Sequence, residues 1–380
     1  MNSDITDPPA AHGTPLFSAQ LKQQAADFCV DEVLDLDFSD TGEHLYLQIE
    51  KTAMNTDEVS SVLQACYAVN SADVGLCGLK DRHSVSTQWF SVRTPADSTL
   101  FEQSVRQFNE SEQAEWGGTN GYVKALKLKQ SVRHLRKLKR GAHQCNRFAI
   151  TLSNVRPHET ESQLFRQAVG ARIGLIIDHG FPNHIGTQRF GSGAQNLHRA
   201  RQWFARPRKR CSRQQRSLWL SAARSAVFNT LSAARVRDAS WQHLLAGEPA
   251  VLDGSRSFFL TASDNENSDA SVTGQGASLE CRLGSFDIHP SAPWWGRGRS
   301  AATGASAEFE ALHLQTVADL CDGLERAGLA QERRALRARA EALQYRWVSD
   351  DALELTFSLH PGVFATTLLR ELADVTEPQR

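Results

Sequence analysis

Lys80-Asp81-Arg82 puts one carboxylate between two cations, in a short break between two strand-like runs. Nearby positive charge favours the ionised form of a carboxylate. An ionised carboxylate at neutral pH is what a nucleophile or an anionic base requires. The same triplet also suits a surface turn in which Asp81 merely pairs with Lys80 or Arg82. Two features favour chemistry. Cys77 and Gly78, just before it, are small and uncharged and permit close approach of another backbone. Aromatic and amide partners also occur elsewhere in suggestive settings. Asn146-Arg147-Phe148 opens a strand-like run after the cationic stretch Arg133 to Gly141, a combination that grips phosphates and stacks a base. An alternating strand can equally bury Phe148 as core. Phe28 lies near the first strand, where core is again the plain reading. Gly362-Val363-Phe364 leads into a short helix, whose first N–H groups suit a phosphate.

The elements that must position these residues are of both kinds. Residues 16–60 read as strands and turns, with Leu45, Leu47 and Ile49 alternating on one face, and Asp57 to Val69 as a helix. Asp73 to Leu79 and Thr87 to Val92 flank the Asp81 loop as strands. A less regular stretch runs to about Gly121, followed by strands at Tyr122 to Leu128 and Arg147 to Ser153 and a helix at Glu161 to Ile173. After Pro182 the pattern turns helical, at Leu197 to Ala205, Arg213 to Arg237, and a pair over Ser306 to Leu343 broken near Gly328. The Ser/Asp/Asn/Gly-rich stretch 261–278 reads as a solvent loop. Ala352 to Leu359 then alternates as a strand before a helix at Ala365 to Leu372. A strand returning after a helical middle predicts an α+β domain carrying an insertion.

The chain has 380 residues, 41% hydrophobic and 22% charged, which is ordinary for a soluble globular protein of two or three domains. No apolar run approaches a membrane span, and the first fifteen residues read as a tail without the apolar region of a signal peptide. Seven scattered cysteines without a CxxC point to a reducing, cytoplasmic compartment and away from zinc. The net charge of −1 hides segregation. Residues 1–60 hold twelve acids against Lys22 and Lys51; Trp116 to His158 holds ten Lys or Arg and no acid; His179 to Arg237 holds twelve and no acid. Such segments form a footprint for a polyanion, unless the N-terminal acids neutralise them.

Five ordered blocks resemble the TruD family of tRNA pseudouridine synthases along nearly the whole chain. They are Gly78-Leu79-Lys80-Asp81-Arg82-His83 with Thr87-Gln88-Trp89; Asn146-x-Phe148; Pro182-Asn183-His184-x-Gly186-x-Gln188-Arg189-Phe190-Gly191; Trp219 to Asn229; and Pro361-Gly362-x-Phe364-Ala365-Thr366 with Arg370-Glu371-Leu372. The resemblance implies an α+β fold: a pseudouridine-synthase-type mixed β-sheet catalytic domain of residues 1–181 plus 339–380, with an inserted α/β domain over 182–338. It implies Asp81 as the catalytic aspartate and Phe28, Asn146, Phe364 and Lys22 as active-site positions. Phe148 or Phe28 is expected to stack on the uracil, Asn146 to fix its edge or a neighbouring loop, and Lys80 and Arg82 to keep Asp81 charged. Arg133, Arg136, Lys137, Lys139, Arg140 and Arg189 are the expected contacts to RNA backbone. The implied reaction breaks the C1′–N1 bond of a flipped uridine, expected to be uridine-13 in the D arm, and rejoins the base through C5. It calls for no cofactor or metal, and tRNA is the expected partner, with no obligate protein partner. Whether Asp81 attacks C1′, attacks the ring, or removes a ribose proton is open. The rival is an RNA-binding or RNA-folding protein on the same scaffold; a phosphate-handling enzyme lacks its G-x-x-x-x-G-K-[ST] loop.

Overall fold

The computed structural model describes residues 3–115, 123–159, 162–206, 210–261 and 278–378. The chain divides into two compact units. One comprises Phe17–Thr160, Ala340–Gly362 and Ala373–Arg380; the other comprises Met1–Leu16, Glu161–Arg339 and Val363–Leu372. These cuts differ from the expected 181/182 and 338/339 boundaries, because the helix after residue 161 and the one after Phe364 pack with the second unit.

The first unit is built on one mixed sheet of ten strands. They are β1 (Phe17–Leu21), β2 (Phe28–Val33), β3 (His44–Thr52), β4 (Val74–Leu76), β5 (Val85–Arg93), β6 (Ala125–His134), β7 (Cys145–Pro157), β8 (Glu341–Ser349), β9 (Ala352–Leu359) and β10 (Ala373–Thr376). The main path runs β8-β9-β7-β2-β5-β3-β6, with β4 on β5 and β1 joined to β7 and β10. Pairing is antiparallel except for β2 with β5 and β1 with β10.

Leu45, Leu47 and Ile49 do share one face. They pack with Val59 and Leu63 of helix α1 (Thr56–Tyr67) and Phe101 and Val105 of α2 (Thr99–Glu115). Helix α2 replaces the expected irregular stretch: Phe101, Val105 and Phe108 recur at helical spacing, and the apolar face of the sheet needs this second cover. Strand β6 runs to His134, so the cationic stretch begins on a strand. A single cross-strand row, Lys51 (β3), Ser86 (β5), Val30 (β2), Phe148 (β7) and Phe357 (β9), places these side chains on a common face.

The second unit is mainly helical: α3 (Ser162–His179), α4 (Gln195–Ala205), α5 (Arg213–Arg237), α6 (Gly304–Leu314), α7 (Ala318–Arg326) and α8 (Ala365–Arg370), with short strands between. Its core joins Leu197 and Phe204 of α4, Ala226 and Phe228 of α5, and Leu320 and Leu324 of α7. Ile5 is buried in the same core, so the N-terminal segment packs and is no loose tail. The expected second half of the 306–343 helical pair is instead three strands, Glu332–Ala335, Arg337–Ala338 and β8. Its Ala, Leu, Arg and Glu favour helix, but Arg333 is drawn into burial by Glu310 at 2.6 Å and by the Ser291 carbonyl. Nearly all of the 261–278 stretch lies outside the described residues.

Candidate active site

The loop between β4 and β5 carries Asp81, whose side chain is 34% exposed. The Lys22 ammonium lies 2.5 Å from its Oδ2, and the His83 N–H donates to Oδ1 at 3.3 Å. Burial alone pushes this carboxyl up, but the charge and hydrogen bond of Lys22, helped by His83, hold it below the usual carboxylate value. Four hydrogen bonds tie the loop backbone at three groups. Gln88 Nε2 donates to Gly78 O at 2.5 Å, the Lys80 N–H to Thr56 Oγ1 at 2.9 Å, and both Lys51 Nζ and Ser84 Oγ to Asp81 O at 2.8 Å.

Strand β2 lines up Phe28, Val30 and Glu32 on one face, all buried. At one end the Lys22 ammonium stands 4.7 Å from the centre of the Phe28 ring, a cation–π contact. At the other end Glu32 receives the Lys80 ammonium at 2.7 Å. Lys80 is therefore anchored on Glu32, and the ion pair on Asp81 comes from Lys22. This corrects the expectation that the sequence neighbours of Asp81 hold its charge; Arg82 is exposed. Lys22 also reaches Glu377 at 3.0 Å. It follows β1 directly, with φ of 58°, a costly conformation for a residue with a Cβ.

On β7, Phe148 sits opposite Val30 and Asn146 opposite Glu32. Phe148 is buried, edge-on to Phe28 and stacked on Phe357. Asn146 Nδ2 lies 3.2 Å from His143 Nε2, while its Oδ1 is buried with no hydrogen-bond partner. A buried amide oxygen left so is costly unless a donor arrives. One sheet face thus collects Lys22, Phe28, Glu32, Lys80, Asp81, Asn146 and Phe148.

A family model described as tRNA pseudouridine synthase D (TruD) matches residues 10–206 and 193–372. The chain belongs to the TruD family. It is 39% identical over 373 residues to the tRNA pseudouridine synthase D of Methylococcus capsulatus, covering 98% of this chain and 96% of that protein. It is 39% identical over 369 residues to that of Pseudomonas putida KT2440, covering 97% and 94%. The crystal structure of a putative tRNA pseudouridine synthase D (TruD) from Methanosarcina mazei shares the fold, with a TM-score of 0.64, 17% identity and coverage of 97% and 94%.

Other expected residues of this TruD-family chain are carried by other elements. Phe364 and Arg189 belong to the second unit, where the Arg189 guanidinium stands 5.8 Å from the centre of the Phe364 ring. Helix α8 after Phe364 has six residues. Of the cationic stretch, Arg136, Lys139 and Arg140 are exposed. Arg133 donates to the carbonyls of Thr94, Pro95 and Ala96, and Lys137 to that of Ala72. These two tie neighbouring loops together instead of standing free for phosphate. Glu32, Cys77 and His143 form a buried cluster of metal-ligand types. They suit a cation poorly, since Lys80 already neutralises Glu32, and burial with the nearby Glu32 pushes the Cys77 thiol up to about 12. The sequence assigns no role to Lys51, Glu32 or Thr56, and shows Gln88 only within the Thr87-Gln88-Trp89 block. One signal was present: Lys51 continues the alternation of Leu45, Leu47 and Ile49, a charge in core register. Among the described residues, no helix is long and apolar enough to cross a membrane.

Proposed function

We propose that this chain is a tRNA pseudouridine synthase that isomerises a uridine to pseudouridine with Asp81 as its catalytic carboxylate. The observation carrying this reading is that Asp81 is partly open, held ionised by Lys22, and locked through its own backbone carbonyl. A preset anion of this kind serves a nucleophile or a base without rearrangement.

The uridine enters flipped out of its stack. Its C1′–N1 bond breaks, the uracil turns, and C1′ joins C5; the C5 proton is lost and N1 regains one, so no other reactant is consumed. A glycosidase needs a second acid for its departing group, whereas the detached uracil stays in the pocket as a stable anion. Phe28 and Phe148 supply the aromatic wall, and the unpartnered Asn146 Oδ1 accepts the uracil imino N–H. Phe364 and Arg189 are further substrate contacts in this reading, while Arg136, Lys139 and Arg140 meet phosphates. Uridine-13 in the D arm is the proposed target, and we read the sheet-bearing unit as the catalytic body. Mapping pseudouridine in tRNA from cells with and without the gene tests the proposal: loss of one D-arm site is expected, and unchanged maps overturn it.

A further inference from the structure

We propose that Lys51 is a positioning residue for Asp81, its ammonium fixing the carboxylate by holding the Asp81 backbone carbonyl against the sheet. This rests on the reading of Asp81 as the catalytic carboxylate. Lys51 is 1% exposed and occupies the register of the core residues Leu45, Leu47 and Ile49 on β3. It lies in the same cross-strand row as Phe148. Its Nζ donates to Met54 O at 2.6 Å and to Asp81 O at 2.8 Å. Among the described residues no carboxylate pairs with it directly, and burying an ammonium on two carbonyls is costly. An apolar residue would satisfy that core position better. What only the lysine supplies is a rigid strut from the central strand to the Asp81 peptide.

The carbonyl is two bonds from the Asp81 Cα, so holding it limits rotation of the whole residue. Ser84 Oγ makes the second bond to the same oxygen, and Lys22 then sets the carboxylate itself. A displacement of about 1 Å at a reacting group costs about 10²-fold in rate, which is the effect expected when the strut is lost.

The strut titrates. Burial lowers the Lys51 ammonium from its ordinary value to about 8, with Lys80 of the loop acting the same way and Asp81 and Glu58 of α1 opposing. Its neighbours in the ladder, Ser86 on β5 and Leu126 on β6, bring no charge. Above about pH 8 the neutral amine keeps N–H groups but loses the charge that strengthens both bonds. The reaction therefore gains an alkaline limb that belongs to Lys51.

The test uses full-length wild type, Lys51→Met, Lys51→Arg and Asp81→Asn. Readouts are kcat and KM for pseudouridine formation in a tRNA transcript from about pH 6 to about pH 10, with thermal unfolding alongside. Lys51→Met is expected to lower kcat by about 10–10²-fold with KM nearly unchanged, to unfold no earlier than wild type, and to lack the limb near pH 8. Lys51→Arg keeps a donor that does not titrate; it is expected to recover part of kcat, also without that limb, and its profile decides the matter if the Met variant fails to fold. Wild-type kcat in Lys51→Met, or an alkaline limb common to wild type and the variants, overturns the proposal. An active Asp81→Asn instead overturns the reading of Asp81 on which it rests.

Discussion

At Asp81 two opposing influences act on one charge. Desolvation favours the neutral acid, and the Lys22 ammonium favours the anion and prevails. With its pKa lowered, Asp81 stays ionised down through the ordinary carboxylate range near ~3.9, so kcat has no acid limb from it near neutrality. The ion pair's share of stability is present above the unfolded carboxyl pKa and is lost as pH falls through the lower folded value. Lys22→Met leaves desolvation opposed only by the weaker contribution of His83. We expect kcat at about pH 6 to fall about 10²-fold and an acid limb to emerge, read from the pH–rate profile; an unchanged profile contradicts the assignment. This pairing was not legible locally. Lys80 is adjacent to Asp81 in the chain but reaches Glu32, while Lys22 arrives from 59 residues away by the pairing of β1 with β7. The triplet singles out Asp81 as a candidate, and only the sheet shows which ammonium pairs with it.

The elements were legible where a single period was strong and where burial followed it. Strand β3, helix α1 and helix α5 fall close to their expected spans because their apolar residues repeat cleanly. Polar residues between Phe101, Val105 and Phe108 mask helix α2, and the helix expected up to Leu343 gives way to strands from Glu332 because helix formers there pair as strands. In each case tertiary packing overrode composition. Packing also explains a position that composition leaves blank. Helices α4 and α7 meet at Gly323, where an added Cβ would clash with the Phe204 ring. Gly323→Ala is expected to destabilise the protein by about 1–3 kcal/mol, measured as a lower denaturant midpoint; an unchanged midpoint contradicts this packing.

Over the whole molecule, a net charge of −1 conceals a division of labour. Some cations of the acid-free segments are neutralised internally, as Lys124 is by Glu58 and Arg235 by Glu248, while Arg136, Lys139 and Arg140 stay exposed. Capture of a polyanion by such groups releases counterions and weakens steeply with salt, and it draws nothing from Asp81. In the proposed reaction, conversion of a uridine draws on Asp81 alone among the acids described above. The two functions therefore separate in one measurement on the full-length protein. Wild type and Asp81→Asn are compared for binding of a tRNA transcript across a salt series and for pseudouridine formed in the same transcript. The account predicts equal affinity and equal salt slope, with conversion lowered at least about 10³-fold in the variant. Conversion by Asp81→Asn at the wild-type rate contradicts it.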